Sequence, residues 1–392
     1  MGIRSLAVVF FMVFHAVAAQ YQPLGRTAYL TSSFGESRGT RYHAGIDFST
    51  NKEEGWPIIA PSDGVVEFAA RGAFGYGRHI KFKAKDEHVW LFAHLSQYNP
   101  RIDTLVRKEV LKKEKPNVSL SSLKVRFKKG DTLAYSGSTG IGDPHLHIER
   151  RTPDSKIALN PCKDMKCTDT IAPFIIDAMP FEDGFTVKIV DYSREPLDNP
   201  MSIYSLDIYQ NKKLIFGKKY DSLSFANKDM AKIKEDLIEA ENDTSAGNWH
   251  FIKAKVKAES KIFVVAKDFV DNVTRKELVL QKDSLKRKVK DSVEAVPDTV
   301  PPRLGKIYLK PDFAGRLQCR IPVVDSLSGL DFDSVDFRDK ESKWVIFDYH
   351  LNSKELVVEK RDFDFIEPLN VKLCDKSHNC TEKGVKCAAS AL

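Results

Sequence analysis

Long apolar runs are what this 392-residue chain lacks. Beyond its first twenty residues no stretch approaches the roughly 20 consecutive apolar residues that a membrane-spanning helix needs, so a helical membrane protein is excluded as a reading of the remainder. Cysteine is scarce, with six in all. No pair of short Cys-x-x-Cys units occurs among them, which argues against a closed structural zinc ribbon. Charge of one sign is not concentrated either: the net +7 is spread along the chain, and no nucleic-acid motif accompanies it. Such a balance favours approach to an anionic polymer only weakly. Ser136-Gly137-Ser138-Thr139-Gly140 lacks the Lys-Ser/Thr of a phosphate-binding loop, and no helical pattern follows it. It reads instead as a loop that delivers the next strand.

The N-terminus is organised differently. Arg4 precedes an apolar run from Leu6 to Val13, and the small residues Ala16, Ala18 and Ala19 stand just before Gln20. This pattern predicts a secretory signal peptide over 1–19, and the absence of cysteine at the cleavage site argues against lipid modification. Few residues separate that site from Tyr29, so no long inhibitory segment is expected there. Export would allow the cysteines to pair. Proximity suggests Cys162 with Cys167, and leaves two bridges among Cys319, Cys374, Cys380 and Cys387, their partners open.

Histidines in the first half carry the chemistry. In His145-Leu146-His147 a strand's period of two sends both imidazoles to one face and Leu146 to the other. His43 and Asp47 are four apart, which on a straight strand would separate their Cα atoms by roughly 13 Å. The backbone must therefore bend between them for both to reach one metal. Gly45 stands midway and lacks the Cβ that would resist a turn or a close approach. Two imidazoles, one carboxylate and an open fourth position are the composition of a catalytic zinc site.

Several strings in fixed order then match a known pattern. Leu30-Thr31-Ser32-Ser33-Phe34-Gly35 leads into Tyr42-His43-Ala44-Gly45-Ile46-Asp47-Phe48, followed by Pro57-Ile58-Ile59-Ala60-Pro61-Ser62-Asp63-Gly64-Val65-Val66. Gly75-Tyr76-Gly77, Phe92-Ala93-His94-Leu95-Ser96, Lys129-Gly130-Asp131, the Ser136 loop and Pro144-His145-Leu146-His147-Ile148-Glu149 come after. From about Tyr29 to Pro161 the chain resembles the lysostaphin-type (LytM-like) zinc metallopeptidases, which cut peptide bonds in bacterial peptidoglycan. The resemblance implies an antiparallel β catalytic domain, one zinc ion ligated by His43, Asp47 and His147, and two flanking catalytic histidines, His94 and His145. Hydrolysis would run by zinc-activated water; either His145 or His94 could take the proton or stabilise the oxyanion, and we assign His145 as base and His94 as oxyanion stabiliser. Peptidoglycan peptides are then the expected substrate, in the periplasm or cell envelope of a bacterium. A catalytically silent regulator or wall-binding scaffold of the same fold is the alternative. His79 and His88 match no ligand position.

The glycine strings independently predict hairpins between alternating runs such as Val65-Val66-Glu67-Phe68 and Ile80-Lys81-Phe82. One departure from a compact family member is the long segment from about 97 to 123. It is expected either to wall the substrate groove or to be an exposed insertion.

More than half of the chain lies beyond the resemblance. Asp169-Thr170-Ile171-Ala172-Pro173 recurs as Asp298-Thr299-Val300-Pro301-Pro302, and Asp268 to Asn272 is echoed by Asp375 to Asn379. Alternating runs at Phe185 to Val190 and Trp249 to Val256, and looser ones at Trp344 to Phe347 and Leu356 to Val358, lie between those markers. These patterns predict two immunoglobulin-like β-sandwich units, 168–281 and 298–392, after a catalytic domain over 20–167. A helical insertion is expected at about 227–240 and a charged linker at 282–297. The two units could engage envelope proteins; no nucleic acid is expected as a partner.

Overall fold

A computed structural model describes residues 21–36, 38, 42–181, 184–225, 240–242, 248–252, 260–280, 298–325 and 329–387. The expected signal peptide, the linker and all but the last residue of the expected helical insertion lie outside these. Ala240, that last residue, opens a strand.

The protein is mainly β, with antiparallel sheets. Its N-terminal unit is built on one large sheet. We label β1 Leu30–Ser32, β2 Ile46–Ser49, β3 Gly64–Arg71, β4 His79–Ala84, β5 Val89–Ala93, helix α1 Pro100–Lys113, β6 Val118–Leu120 and β7 His145–Arg151. The sheet runs in the order β1-β2-β7-β5-β4-β3-β6. Alternation builds β4, where Ile80, Phe82 and Ala84 are buried and the residues between them are half-exposed. Strand β5 (Val-Trp-Leu-Phe-Ala) is buried at every position, as its continuous apolar run requires. Strand β7, flanked by β2 and β5, carries the functional histidines, and its register sets Asp47 and Ala93 on either side of His147.

The 97–123 segment contains α1. Asn99 caps it by accepting from the Arg101 N–H, and Pro100 occupies the first turn, where a missing N–H costs nothing. Asp103 in the first turn and Lys112 and Lys113 in the last complement the helix dipole. Ile102, Val106 and Val110, spaced by four, are buried. The segment is thus an ordered docking element. Asp103 pairs with Arg361 at 2.9 Å and Glu114 with Arg338 at 2.8 Å, while Arg107 pairs with Asp362.

The middle unit is a sandwich of two four-stranded sheets. Phe185, Val187 and Ile189 of one sheet meet Leu206, Ile208, Ile262 and Val264 of the other in a single core. The C-terminal unit pairs a five-stranded with a three-stranded sheet. A disulfide between Cys319 and Cys387 joins its layers, Cys374–Cys380 closes a hairpin, and Cys162–Cys167 follows the N-terminal unit. Trp344 to Phe347, expected as a strand, is instead irregular chain with one bridge to Arg338. All four of these side chains are buried, so the run satisfies the core without alternating.

The N-terminal and C-terminal units share one apolar cluster. Phe74 meets Phe332 edge-to-face, and Tyr135 packs against Phe313. At this contact the buried Asp348 receives both Arg71, at 2.6 Å, and Arg78. On the opposite flank the middle unit extends the N-terminal sheet: Ile157–Leu159 pairs with Ser222–Ser224.

Candidate active site

Strand β2 delivers Asp47, β7 delivers His147, and the turn before β2 delivers His43. The bend between His43 and Asp47 depends on Gly45. A Cβ on Gly45 would lie 2.2 Å from the Ile148 carbonyl oxygen and 2.9 Å from His147 Cε1. No other residue fits there without displacing a ligand-bearing strand.

Three atoms converge. His43 Nε2 is 2.9 Å from His147 Nδ1 and 3.2 Å from Asp47 Oδ1, and His147 Nδ1 is 2.8 Å from the same oxygen. These edges fall slightly short of the roughly 3.3 Å implied by tetrahedral zinc with bonds of about 2.0–2.1 Å. The outer ring atoms decide what faces inward. His43 Nδ1 lies 2.8 Å from the Ser33 carbonyl, which only accepts, so Nδ1 carries the proton and Nε2 a lone pair. His147 Nε2 lies 3.1 Å from Glu149 Oε1, so Nε2–H donates and Nδ1 is the lone-pair atom. With both rings neutral, two lone pairs and a carboxylate oxygen face one another, an arrangement that a bound cation resolves. The residues fit zinc.

The electrostatics agree. Burial alone would lower the His147 pKa, but its contacts with Asp47 and Glu149 carry it up to about 9, as a positive charge is drawn to the spot. Asp47 is held well below the ordinary carboxylate range: burial opposes this, and His43 and His147 overcome it. Its second oxygen, Oδ2, accepts from Arg38 at 3.3 Å.

His94 and His145 stand beside this centre, their rings 4.5 Å apart. His145 Nδ1 donates to the Asp143 carbonyl at 2.6 Å, and Nε2 lies 3.9 Å from Asp47 Oδ1. His94 Nδ1 donates to the Thr139 carbonyl at 2.9 Å, so the Ser136–Gly140 loop orients this ring as well as leading to β7. Both rings thus keep Nε2 as the acceptor. Burial, then His145 and His147, holds the His94 pKa well below its usual value. His94 also adopts a positive φ of 59°, uncommon for a residue with a Cβ and a form of strain that collects at functional sites. His79 is packed between Phe68 and Tyr76, and His88 sits beside Asp86; neither joins the centre.

Sequence reasoning missed Glu149. It is fully buried, accepts from His147 and from Tyr76 Oη, and receives Arg151 Nε at 2.6 Å. Burial would raise its pKa, yet these partners bring it down to about 2. The signal was present: the alternation that puts His145 and His147 on one face of β7 puts Glu149 and Arg151 on the same face. Ser33 was missed too. Its hydroxyl exchanges hydrogen bonds with the backbone of Ser202, so the middle unit supports the carbonyl that orients His43.

A cleft of about 670 Å³ opens beside the chain that leads into β7, lined by none of the five site residues. Ser138, Asp143 and Pro144 line one side, and Tyr308, Arg320 and His350 of the C-terminal unit line the other.

Parts of the chain are similar to known proteins. An uncharacterized metalloprotease of Haemophilus influenzae is 35% identical over 134 residues, covering 32% of this chain and 23% of that protein. The murein hydrolase activator NlpD of Escherichia coli is 32% identical over 119 residues, 30% of this chain and 25% of NlpD. The chain thus spans about a quarter of the length of these curated relatives. Among solved structures, the catalytic domain of the prophage-encoded M23 protein EnpA from Enterococcus faecalis aligns at 24% identity, covering 36% of this chain and 94% of that one, with a TM-score of 0.27. Residues 41–112, which include His43, Asp47 and His94, match the model of peptidase family M23.

Proposed function

We propose that the chain is an exported zinc-dependent endopeptidase that hydrolyses peptide bonds in bacterial peptidoglycan. The observation that carries this reading is the convergence of His43, Asp47 and His147 beside two further histidines outside the ligand set. Zinc held there would supply Lewis-acid polarisation of the scissile carbonyl and a lowered pKa for water. The chain's own groups do the rest. His145 Nε2, its ring set by Asp143, takes a proton from the attacking water and passes it to the leaving amine. His94 steadies the oxyanion through Nε2. That role needs the Nε2–H tautomer, reached when the proton that Nδ1 gives to the Thr139 carbonyl at rest moves to Nε2 and that hydrogen bond is lost. Glu149, held by Arg151 and Tyr76, keeps the His147 ring in its ligand orientation.

The cleft between Asp143 and Arg320 suits an extended peptide, and we assign substrate positioning to the C-terminal unit on that ground. The division of labour follows the domains: catalysis in 20–167, support and positioning in 168–281 and 298–392. Peptidoglycan peptides are the substrate in this reading, envelope proteins are candidate partners of the C-terminal units, and the site of action is the bacterial envelope. No described helix is long and apolar enough to cross a membrane.

The NlpD match supports a second reading, a regulator of other wall hydrolases. Retention of all five site residues favours hydrolysis. Digestion of purified peptidoglycan by the mature protein, with and without a zinc chelator and beside His147→Ala, separates the two. Chelator-sensitive release of fragments, absent in the variant, supports the peptidase. A folded, zinc-loaded protein that releases nothing while stimulating a partner hydrolase overturns it.

A further inference from the structure

A second group of potential ligands lies in the middle unit, apart from the histidine cluster. Asp169, Asp191 and Asp268 each bring one carboxylate oxygen to within 4.8 Å of the others. They come from different parts of the middle unit. Asp169 precedes the strand Phe174–Phe181, Asp191 follows Gly184–Val190 in the same sheet, and Asp268 follows Lys261–Lys267 in the facing sheet. The trio therefore bridges the two layers at one end of the sandwich.

Asp268 is satisfied locally: Oδ1 accepts from the Val270 and Asn272 N–H groups, and Oδ2 from Asn272 Nδ2 at 2.7 Å. Asp169 is not: Oδ1 accepts from the Ile171 N–H at 2.9 Å, but Oδ2 is buried without a partner. Asp191 is the least satisfied. It is wholly buried, and neither of its carboxylate oxygens has a hydrogen-bond partner. The Tyr192 N–H approaches it, outside good hydrogen-bond geometry, and offsets little of the cost. Burial first, then the neighbouring carboxylates, would push its pKa up to about 9. No Lys, Arg or His is among the principal influences on any of the three. A buried carboxylate left without partner or counter-charge is among the costliest arrangements a core can hold.

A related arrangement recurs, with its third carboxylate better satisfied: Asp325 Oδ2 accepts from the Gly329 N–H at 2.6 Å. In the C-terminal unit Asp298, Asp325 and Asp375 also bring oxygens within 4.8 Å of one another. Asp375 accepts from Asn379 N and Nδ2 as Asp268 does from Asn272, Asp298 accepts from the Val300 N–H as Asp169 does from Ile171, and Asp325 Oδ1 is buried without a partner. The sequence repeat is thus a repeat of carboxylate geometry.

The geometry points to a divalent-cation site in the middle unit, formed by Asp169, Asp191 and Asp268, that takes calcium and clamps the two sheets where the unit joins the N-terminal domain. Its donors are all oxygen, which selects a hard cation over zinc. Calcium accepts irregular carboxylate and carbonyl coordination, whereas magnesium keeps several waters, for which the enclosed Asp191 leaves little room. The junction is close by: Thr168 bridges to Tyr29, and Ser193 Oγ donates to the Leu30 carbonyl at 2.6 Å.

The test uses the full mature chain loaded with zinc and then stripped of weaker-binding ions. Calcium chloride and magnesium chloride are titrated by calorimetry, and thermal unfolding is followed with each salt. Wild type is expected to bind one calcium ion more per chain than Asp191→Asn, and to gain thermal stability that the variant does not. Without calcium, Asp191→Asn is expected to melt close to the wild-type temperature, because an ion-free Asp191 with a pKa of about 9 is already protonated and the amide replaces one neutral group by another; zinc content measured by atomic emission should be equal. Asp169→Asn, altered at a less buried position, repeats the measurement if the first variant fails to fold. Equal calcium stoichiometry in wild type and variant overturns the site, as does no binding at about millimolar calcium, the weak end for extracellular modules. Magnesium binding as tightly as calcium overturns the choice of ion.

Discussion

Glu149 Oε1 lies 3.1 Å from His147 Nε2, so a fully buried carboxylate stands directly behind an imidazole of the candidate metal centre. In the neutral ring this contact fixes the tautomer: with Nε2–H donated to Glu149, Nδ1 offers its lone pair toward His43 and Asp47. Arg151 and Tyr76 hold Glu149 from the other side, which keeps the carboxylate charged in a buried place.

From this follows the first prediction. Glu149→Gln keeps the size and one acceptor but loses the charge that favours Nε2–H. Zinc affinity, measured by competition with a chromophoric chelator, should fall by about 10- to 100-fold, the usual effect of losing such a supporting partner. Unchanged affinity would mean that the ring is oriented by β7 packing alone.

What could be read from the sequence here was decided by range. His145 and His147 were legible because strand alternation is a local rule, and Gly45 because a bend between two ligands needs a residue without a Cβ. The pairing Cys162–Cys167 followed from five residues of separation. The docking of α1 onto Arg361 and Arg338 was not legible, since those partners lie more than 220 residues away and nothing local encodes them. Trp344 to Phe347 misled for a related reason. An apolar run reports burial, and burial here comes from Phe337 and its neighbours rather than from a sheet. Glu149 was legible in principle by the alternation already applied to His145 and His147, but an acidic residue two places beyond a ligand attracts no notice until its burial is known.

Gly45→Ala tests the close approach of the His43 turn to β7. The new methyl would sit 2.2 Å from a backbone oxygen, which cannot swing away as a side-chain tip can. Overpacking of this kind costs about 1–3 kcal/mol, and it should appear as a lower melting temperature together with substoichiometric zinc. Full zinc occupancy at wild-type stability would show that β2 and β7 have slack the geometry does not reveal.

Metal removal should destabilise the fold as well as silence it. Stripping zinc leaves His43 Nε2, His147 Nδ1 and Asp47 Oδ1 facing one another without a cation. Ligand present at about 1,000 times its Kd contributes roughly 4 kcal/mol to the folded state, so calorimetric scans should show a chelator-induced fall in Tm that added zinc reverses. His147→Ala should not respond to either treatment. A chelator-insensitive Tm in wild type would argue against a tightly held metal.

Asp348 links the N-terminal and C-terminal units, and its titration sets how that link depends on pH. Burial would raise its pKa, but Arg71 and then Arg78 bring it down to about 2, below the ordinary value of 3.8. A carboxylate depressed on folding stabilises fully above its ordinary pKa and loses that contribution as pH falls through the folded value. Wild type should therefore weaken between about pH 4 and about pH 2, by roughly 2 kcal/mol for a shift of this size. Asp348→Ala should lose more at neutral pH, about 3–5 kcal/mol, because it strands two buried guanidinium groups. The melting temperatures of wild type and variant should converge as the buffer is taken from about pH 5 to about pH 2.5. A gap that stays constant over that range would mean that Asp348 is not the group titrating at this contact.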